Sequence, residues 1–297
     1  MSPYDPKGMR RFTPLIFFTA LLVLTTTGAG IVFPQNTKEN ADFKLALNLY
    51  NDGLFDLAQE QLKQFIAAYP NTSQGVEARY TLGLSQLKLK QYEDARITFQ
   101  TFALTYQDNS RAPEAWWNVG ECYAALNNPK EAALAFERVK VFHPKSKSAP
   151  DALVRAAIFF GLAGEKDNAR RLLRTVVQEY PASGAVIAAR TQLGRIYFEE
   201  GNVELAQNEL KRVIDGDPSP DARAQALLIL GNIEQEMGKS DAAQSHYQEI
   251  ITTYKTSSAL QGAYVHVARL NAAGGKHAEA IENLRRHLPL PRTSIRR

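Results

Sequence analysis

Small and apolar residues recur along this chain with a step of 37. Ala58, Ala95, Ala132, Ala169, Ala206, Ala243 and Ala280 form one series, and Ala41, Ala78, Ala115, Ala152, Ala189, Ala226 and Ala263 form a second. A third position is always small: Ala46, Gly83, Gly120, Ala157, Gly194, Gly231 and Ala268. The residue before it is aliphatic or alanine: Leu45, Leu82, Val119, Ala156, Leu193, Leu230 and Val267. Registers this regular mark an internal repeat, and seven units of 37 residues fill 39–297.

Each unit predicts two helices. The first carries the small and aliphatic positions on one face. A turn follows, with Gly53, Gly164, Gly201, Gly238 and Gly275 at its centre and Lys90 and Asn127 in the other two units. Glycine just past a helix end supplies the left-handed conformation of a C-cap. The second helix spaces Ala95, Phe99 and Phe102, or Ala132, Phe136 and Val139, by four and three, which places them on one side. It ends at Tyr69-Pro70, Tyr106-Gln107, His143-Pro144, Tyr180-Pro181, Asp217-Pro218 or Tyr254-Lys255, where proline stops a helix. Ala or Gly at the crossing lets the paired backbones approach while larger side chains fill the grooves beside them. One such hairpin cannot hide its apolar face alone, so neighbouring units must stack.

The amino-terminal residues break the period. Lys7, Arg10 and Arg11 precede an uncharged run whose apolar heart lies at 14–24, followed by small residues through Ala29 and Gly30. This is the layout of a secretory signal, and a cut after Ala29 suits it. The rival reading is an uncleaved anchor through residues 12–33, since the stretch from Pro14 to Phe33 is long enough to span a bilayer. Residues 1–38 are therefore assigned to a signal peptide or membrane anchor, 39–288 to the repeats and 289–297 to an irregular basic tail. Basic residues ahead of the apolar run export the body in either case. Its expected location is periplasmic.

Composition narrows the function. The net charge of +4 sits at the two ends, leaving the body near −1, so the clustered basic face of a nucleic-acid binder is missing. The single cysteine, Cys122, excludes a disulfide framework and a cysteine-based metal site, and no cysteine stands where a lipid would be attached. The five histidines offer no pair at helical ligand spacing, Glu199 and Glu200 point to different faces, and no phosphate-binding glycine loop or nucleophile elbow occurs. No catalytic residue, metal or cofactor is expected.

One unit, Trp116, Val119-Gly120, Tyr123, Ala132, Phe136, Val139 and Pro144, follows the order of the tetratricopeptide repeat, with Val for its final Ala. The chain resembles that family over residues 39–288. The extra loop residues that stretch its usual period of about 34 are similar to those of exported bacterial members, such as the outer-membrane-protein assembly lipoprotein and the periplasmic Tol-Pal coordinator families. The resemblance implies an all-α fold, a right-handed α-solenoid of seven helix-turn-helix repeats, whose first helices line a concave groove. Carried over position by position, that groove shows Tyr50, Tyr80, Trp117, Ile158, Arg195, Phe198, Asn232 and Arg269, aromatic and aliphatic at one end and polar at the other. The Lys/Asn clamp that chaperone-associated relatives use on a terminal carboxylate is absent, its positions being held by Phe43, Leu47 and Tyr80.

The expected function is a non-enzymatic scaffold in the cell envelope that holds a protein partner, as a peptide or helix, in this groove. Two alternatives stand beside it. Tyr50, Tyr80 and Trp117 could stack on the sugar rings of peptidoglycan, and a carboxy-terminal repeat lacking a polar cap could pair with a second copy.

Overall fold

The computed structural model describes residues 34–287. The expected export segment and the basic tail at 289–297 lie outside the described residues, apart from 34–38, which are already helical.

Among the described residues there are fourteen helices and no strand, in seven hairpins. These are α1 (Pro34–Asn51) with α2 (Phe55–Ala68), α3 (Ser73–Lys88) with α4 (Tyr92–Thr105), and α5 (Ala112–Ala125) with α6 (Pro129–Phe142). Then come α7 (Ala149–Leu162) with α8 (Lys166–Glu179), and α9 (Ala185–Glu199) with α10 (Val203–Asp215). The last two are α11 (Pro220–Glu236) with α12 (Ser240–Thr253), and α13 (Leu260–Ala273) with α14 (His277–His287). Each helix packs on its neighbours in sequence. The main contacts two elements apart run between odd-numbered helices, as in α7 with α9 and α9 with α11. Curvature brings inner elements closer together than outer ones, so the first helix of each hairpin lies on the inside of the stack.

The turn inside every hairpin adopts the left-handed backbone that the glycines foretold. Gly53, Gly164, Gly201, Gly238 and Gly275 have φ between 75° and 79°, and Lys90 and Asn127 take 59° and 58° in the same register. Left-handed backbone costs an ordinary residue about 1–2 kcal/mol, against about 0.5–1 kcal/mol of extra chain entropy for glycine. Lys90→Gly should therefore stabilise the protein by roughly 0.5–1 kcal/mol in urea unfolding. Loss of stability would mean that the Lys90 side chain does something its exposed position does not show.

The crossing inside each hairpin is set by the third series of small residues. A Cβ placed on Gly83, Gly120, Gly194 or Gly231 would fall 2.8, 2.7, 2.7 or 2.5 Å from Phe99, Phe136, Leu210 or Tyr247, each sixteen residues on in the partner helix. Where the small residue is Ala46, Ala157 or Ala268, the opposing position is Leu62, Leu173 or Leu284. Alanine is thus always opposed by leucine, and an aromatic ring stands opposite glycine alone, at Gly83, Gly120 and Gly231. The two alanine series serve other contacts. Ala58, Ala95, Ala132, Ala169, Ala206 and Ala243 are fully buried, and so is the second series from Ala78 to Ala263. Ala41, with no preceding repeat among the described residues, is exposed, which identifies the second series as the contact with the previous hairpin. Leu45, half exposed where Val119 and Ala156 are buried, says the same.

Charged pairs tie successive repeats together at the surface: Arg111 to Glu77 at 2.8 Å, Arg155 to Glu121 at 2.6 Å, Arg171 to Glu137 at 3.0 Å and Lys166 to Glu199 at 2.8 Å. Exposed pairs of this kind contribute little individually, about 0–1 kcal/mol.

Candidate functional site

The inner face is built from the odd-numbered helices, and it places the expected residues unequally. Tyr50, on α1, is half-buried with its ring edge-on to Phe55 at 5.5 Å. Trp117, on α5, is half-buried and stands edge-on against Phe136 at 5.2 Å. Ile158 on α7 and Phe198 on α9 are half-buried beside the main core cluster.

Tyr80 corrects the sequence reading. It has no exposed surface. Phe99 and Phe102 meet its ring edge-on at 5.4 Å each, and the Arg111 guanidinium of the next repeat lies 4.7 Å above it. Asn118 donates a hydrogen bond to its hydroxyl at 3.2 Å, and burial pushes its ionisation well above the ordinary tyrosine range. Tyr80 belongs to the core and offers nothing to a partner or to a sugar ring. Val154 and Thr191, in the same register, are buried too.

The polar half of the face divides in the same way. Arg195 is exposed and donates to Gln192 within its own helix. Arg269 is exposed at the other end. Among the described residues neither has a carboxylate within ion-pair distance, whereas Arg111 and Arg155, which the sequence did not single out, are both neutralised by the preceding repeat. Asn232 is committed internally: the hydroxyl of the fully buried Tyr247 donates to its Oδ1 at 2.8 Å and lies 3.1 Å from Gln235 Oε1. Gln235 also approaches His266 Nδ1 at 3.3 Å, and the imidazole stacks on Tyr247 at 5.1 Å.

Two of the eight expected residues share a pocket. Ile158 and Arg195 face a recess of about 270 Å³ between α7 and α9, together with Gly161, Leu162, Lys166 and Glu199. The sequence carried a partial sign of it: Gly161 is the smallest residue in a row that holds Tyr50, Leu87, Phe198 and Gln235 in four repeats and Ala124 and Ala272 in two. A second recess of about 340 Å³, lined by Val265, Arg269, Ile281 and Leu284, opens on the last hairpin. The remaining expected residues are strung along the stack and do not converge.

Chemistry beyond binding is sparse. No group of three or more His, Cys, Asp or Glu side chains placed to hold a metal occurs among the described residues. No described helix is long and apolar enough to cross a membrane. Cys122 is fully buried, and desolvation pushes its thiol up to about 12, so it stays protonated.

Burial, with the Arg269 charge beside it, holds the His266 pKa below its ordinary value of 6.5, and burial does the same for His143. A histidine whose folded pKa is depressed binds fewer protons folded than unfolded. Its stabilising effect is complete above the unfolded pKa and is lost as pH falls through that value toward the folded one. The depressed carboxyls of Asp221, Glu93 and Glu165 act only in the range below 4.5. The melting temperature should therefore fall between pH 7.5 and 5.5, and His266→Gln should flatten that fall. An equal slope in the variant would remove His266 as its source.

Sequence models described as tetratricopeptide repeat match residues 43–103 and 101–151, 162–228, and 225–257, together more than half of the chain. No curated protein sequence matches it. Among solved structures it is similar to the C-terminal part of a repeat protein from Cytophaga hutchinsonii, with a TM-score of 0.59 at 14% identity over 84% of this chain and 96% of that one. It is also similar to a tetratricopeptide repeat protein from Parabacteroides merdae, with a TM-score of 0.58 at 14% identity over 84% and 92%. PilW, a widely conserved type IV pilus biogenesis factor, aligns with a TM-score of 0.50 at 18% identity over 76% and 98%. Likeness at this identity concerns the fold. Periodicity, hairpin geometry and sequence models converge, and the chain belongs to the tetratricopeptide-repeat family.

Proposed function

We propose that this protein is a non-enzymatic scaffold, exported into the bacterial cell envelope, that holds a segment of a partner protein along its inner face. The observation that carries the reading is the combination of a half-buried Trp117 packed on Phe136 with an exposed Arg195 that no carboxylate among the described residues neutralises. Aromatic and arginine side chains dominate interface hot spots. An inner surface that existed only to close the fold would have covered the first and paired the second, as it does for Tyr80 and Arg155.

The envelope location rests on the basic, apolar and small-residue order of the first 30 residues and on the longer loops shared with exported members of the family. A role in assembling envelope complexes or coordinating wall synthesis fits such a scaffold.

Affinity capture from a fractionated envelope extract tests the proposal, with the wild type beside a Trp117→Ala, Arg195→Ala double variant. Truncating a central tryptophan should cost about 2 kcal/mol or more, roughly thirtyfold in affinity, so the specific partner should vanish from the variant. Identical partner sets from both would sink the groove reading. Recovery of the chain from the cytoplasmic fraction alone would sink the location.

A further inference from the structure

The recess between α7 and α9 is left open by the chain itself. Gly161 sits in the last turn of α7, and a Cβ built on it would meet nothing within 4 Å. The hollow of about 270 Å³ is lined by the buried Leu173 and Ile196 and by Ile158 and Leu162. Leu162 is 69% exposed, the most exposed large apolar side chain among the described residues. Small-molecule sites usually run from about 300 to 1,000 Å³, whereas about 150 Å³ takes a benzene ring. The recess is of the size for one large side chain and its backbone.

Its rim carries Lys166, Arg195 and Glu199, which leaves a net positive charge. Lys166 is neutralised by Glu199 at 2.8 Å. Arg195 donates only to the uncharged Gln192 among the described residues, so its positive charge remains. The face continues on both sides, toward Trp117 on α5 and Phe198 on α9, so a chain lying there passes through rather than ending. A guanidinium at the edge of an apolar hollow is the arrangement that binds a carboxylate held next to a buried side chain.

We propose that the recess over Gly161 is a socket for an apolar side chain of an acidic peptide, with an Asp or Glu carboxylate within three residues of it pairing with Arg195. This rests on the groove reading above and specifies the peptide. Leu87 occupies the Gly161 position in the second repeat, so Gly161→Leu fills the socket with a side chain the fold already accepts there.

The test uses the full chain and an array of 15-residue random peptides blocked at both ends. Wild type should retain peptides in which Leu, Ile, Met or Phe lies within three residues of Asp or Glu. Gly161→Leu should weaken those peptides at least tenfold with an unchanged helical spectrum, and Arg195→Gln should abolish the acidic preference while keeping the apolar one. If Gly161→Leu holds the selected peptides as tightly as wild type, or if the selected peptides lack this pattern, the socket is wrong and the groove reading stands. If wild type holds no peptide at all, both fall.

Discussion

Tyr80→Ala should destabilise the protein by about 3–5 kcal/mol, the cost of deleting a large, fully buried aromatic side chain. The removed ring is the meeting point of Phe99, Phe102 and Arg111, and Asn118 would lose the hydroxyl that accepts its hydrogen bond. Urea unfolding followed by circular dichroism measures the loss. Tyr80→Phe, which keeps the ring, should cost only about 1 kcal/mol. If Tyr80→Ala left stability untouched and weakened only partner capture, the residue would belong to the groove after all.

Gly120→Ala should cost roughly 1–3 kcal/mol, as overpacking does in a close-packed core. The sign is opposite to that of intrinsic propensity, which favours alanine over glycine in a helix by about 1 kcal/mol. The added methyl would stand 2.7 Å from the Phe136 ring, and Phe136 is itself fully buried with the Trp117 and Phe159 rings against it. Phe136→Leu alone leaves a void. Together the two substitutions reproduce the alanine and leucine pairing of Ala157 with Leu173, so the double variant should be more stable than the sum of the single losses allows. The same displacement has a second readout, because Phe136 braces Trp117: Gly120→Ala should weaken partner capture as well. Strictly additive losses in the double variant would show that the two residues do not oppose each other across the crossing.

Repetition is what made the architecture legible. A single glycine or alanine says little, but a position held small seven times in register states a packing rule. For that reason even the non-glycine turn residues Lys90 and Asn127 could be placed before their left-handed φ values were seen. The inner face was less legible, because register fixes which way a side chain points and not what its neighbours do. Tyr80 and Trp117 hold the same position one repeat apart. Tyr80 is sealed because Glu77 anchors Arg111 over its ring. Trp117 remains half-open in the following repeat. Arg155 and Arg195 could not be told apart in charge state either, since the carboxylate that neutralises Arg155 is Glu121, 34 residues earlier. Gly161 shares its row with the small Ala124 and Ala272 as well as with larger residues, and a missing side chain becomes a socket only when the walls around it are known.

Contacts run almost wholly between adjacent helices and adjacent repeats, and this gives the molecule a mechanical character. Load applied at one end passes through every joint in series, as in a coil spring, and each joint yields by a small rotation with its own crossing intact. Small rotations at successive joints would add along the stack, because each repeat touches only its neighbours.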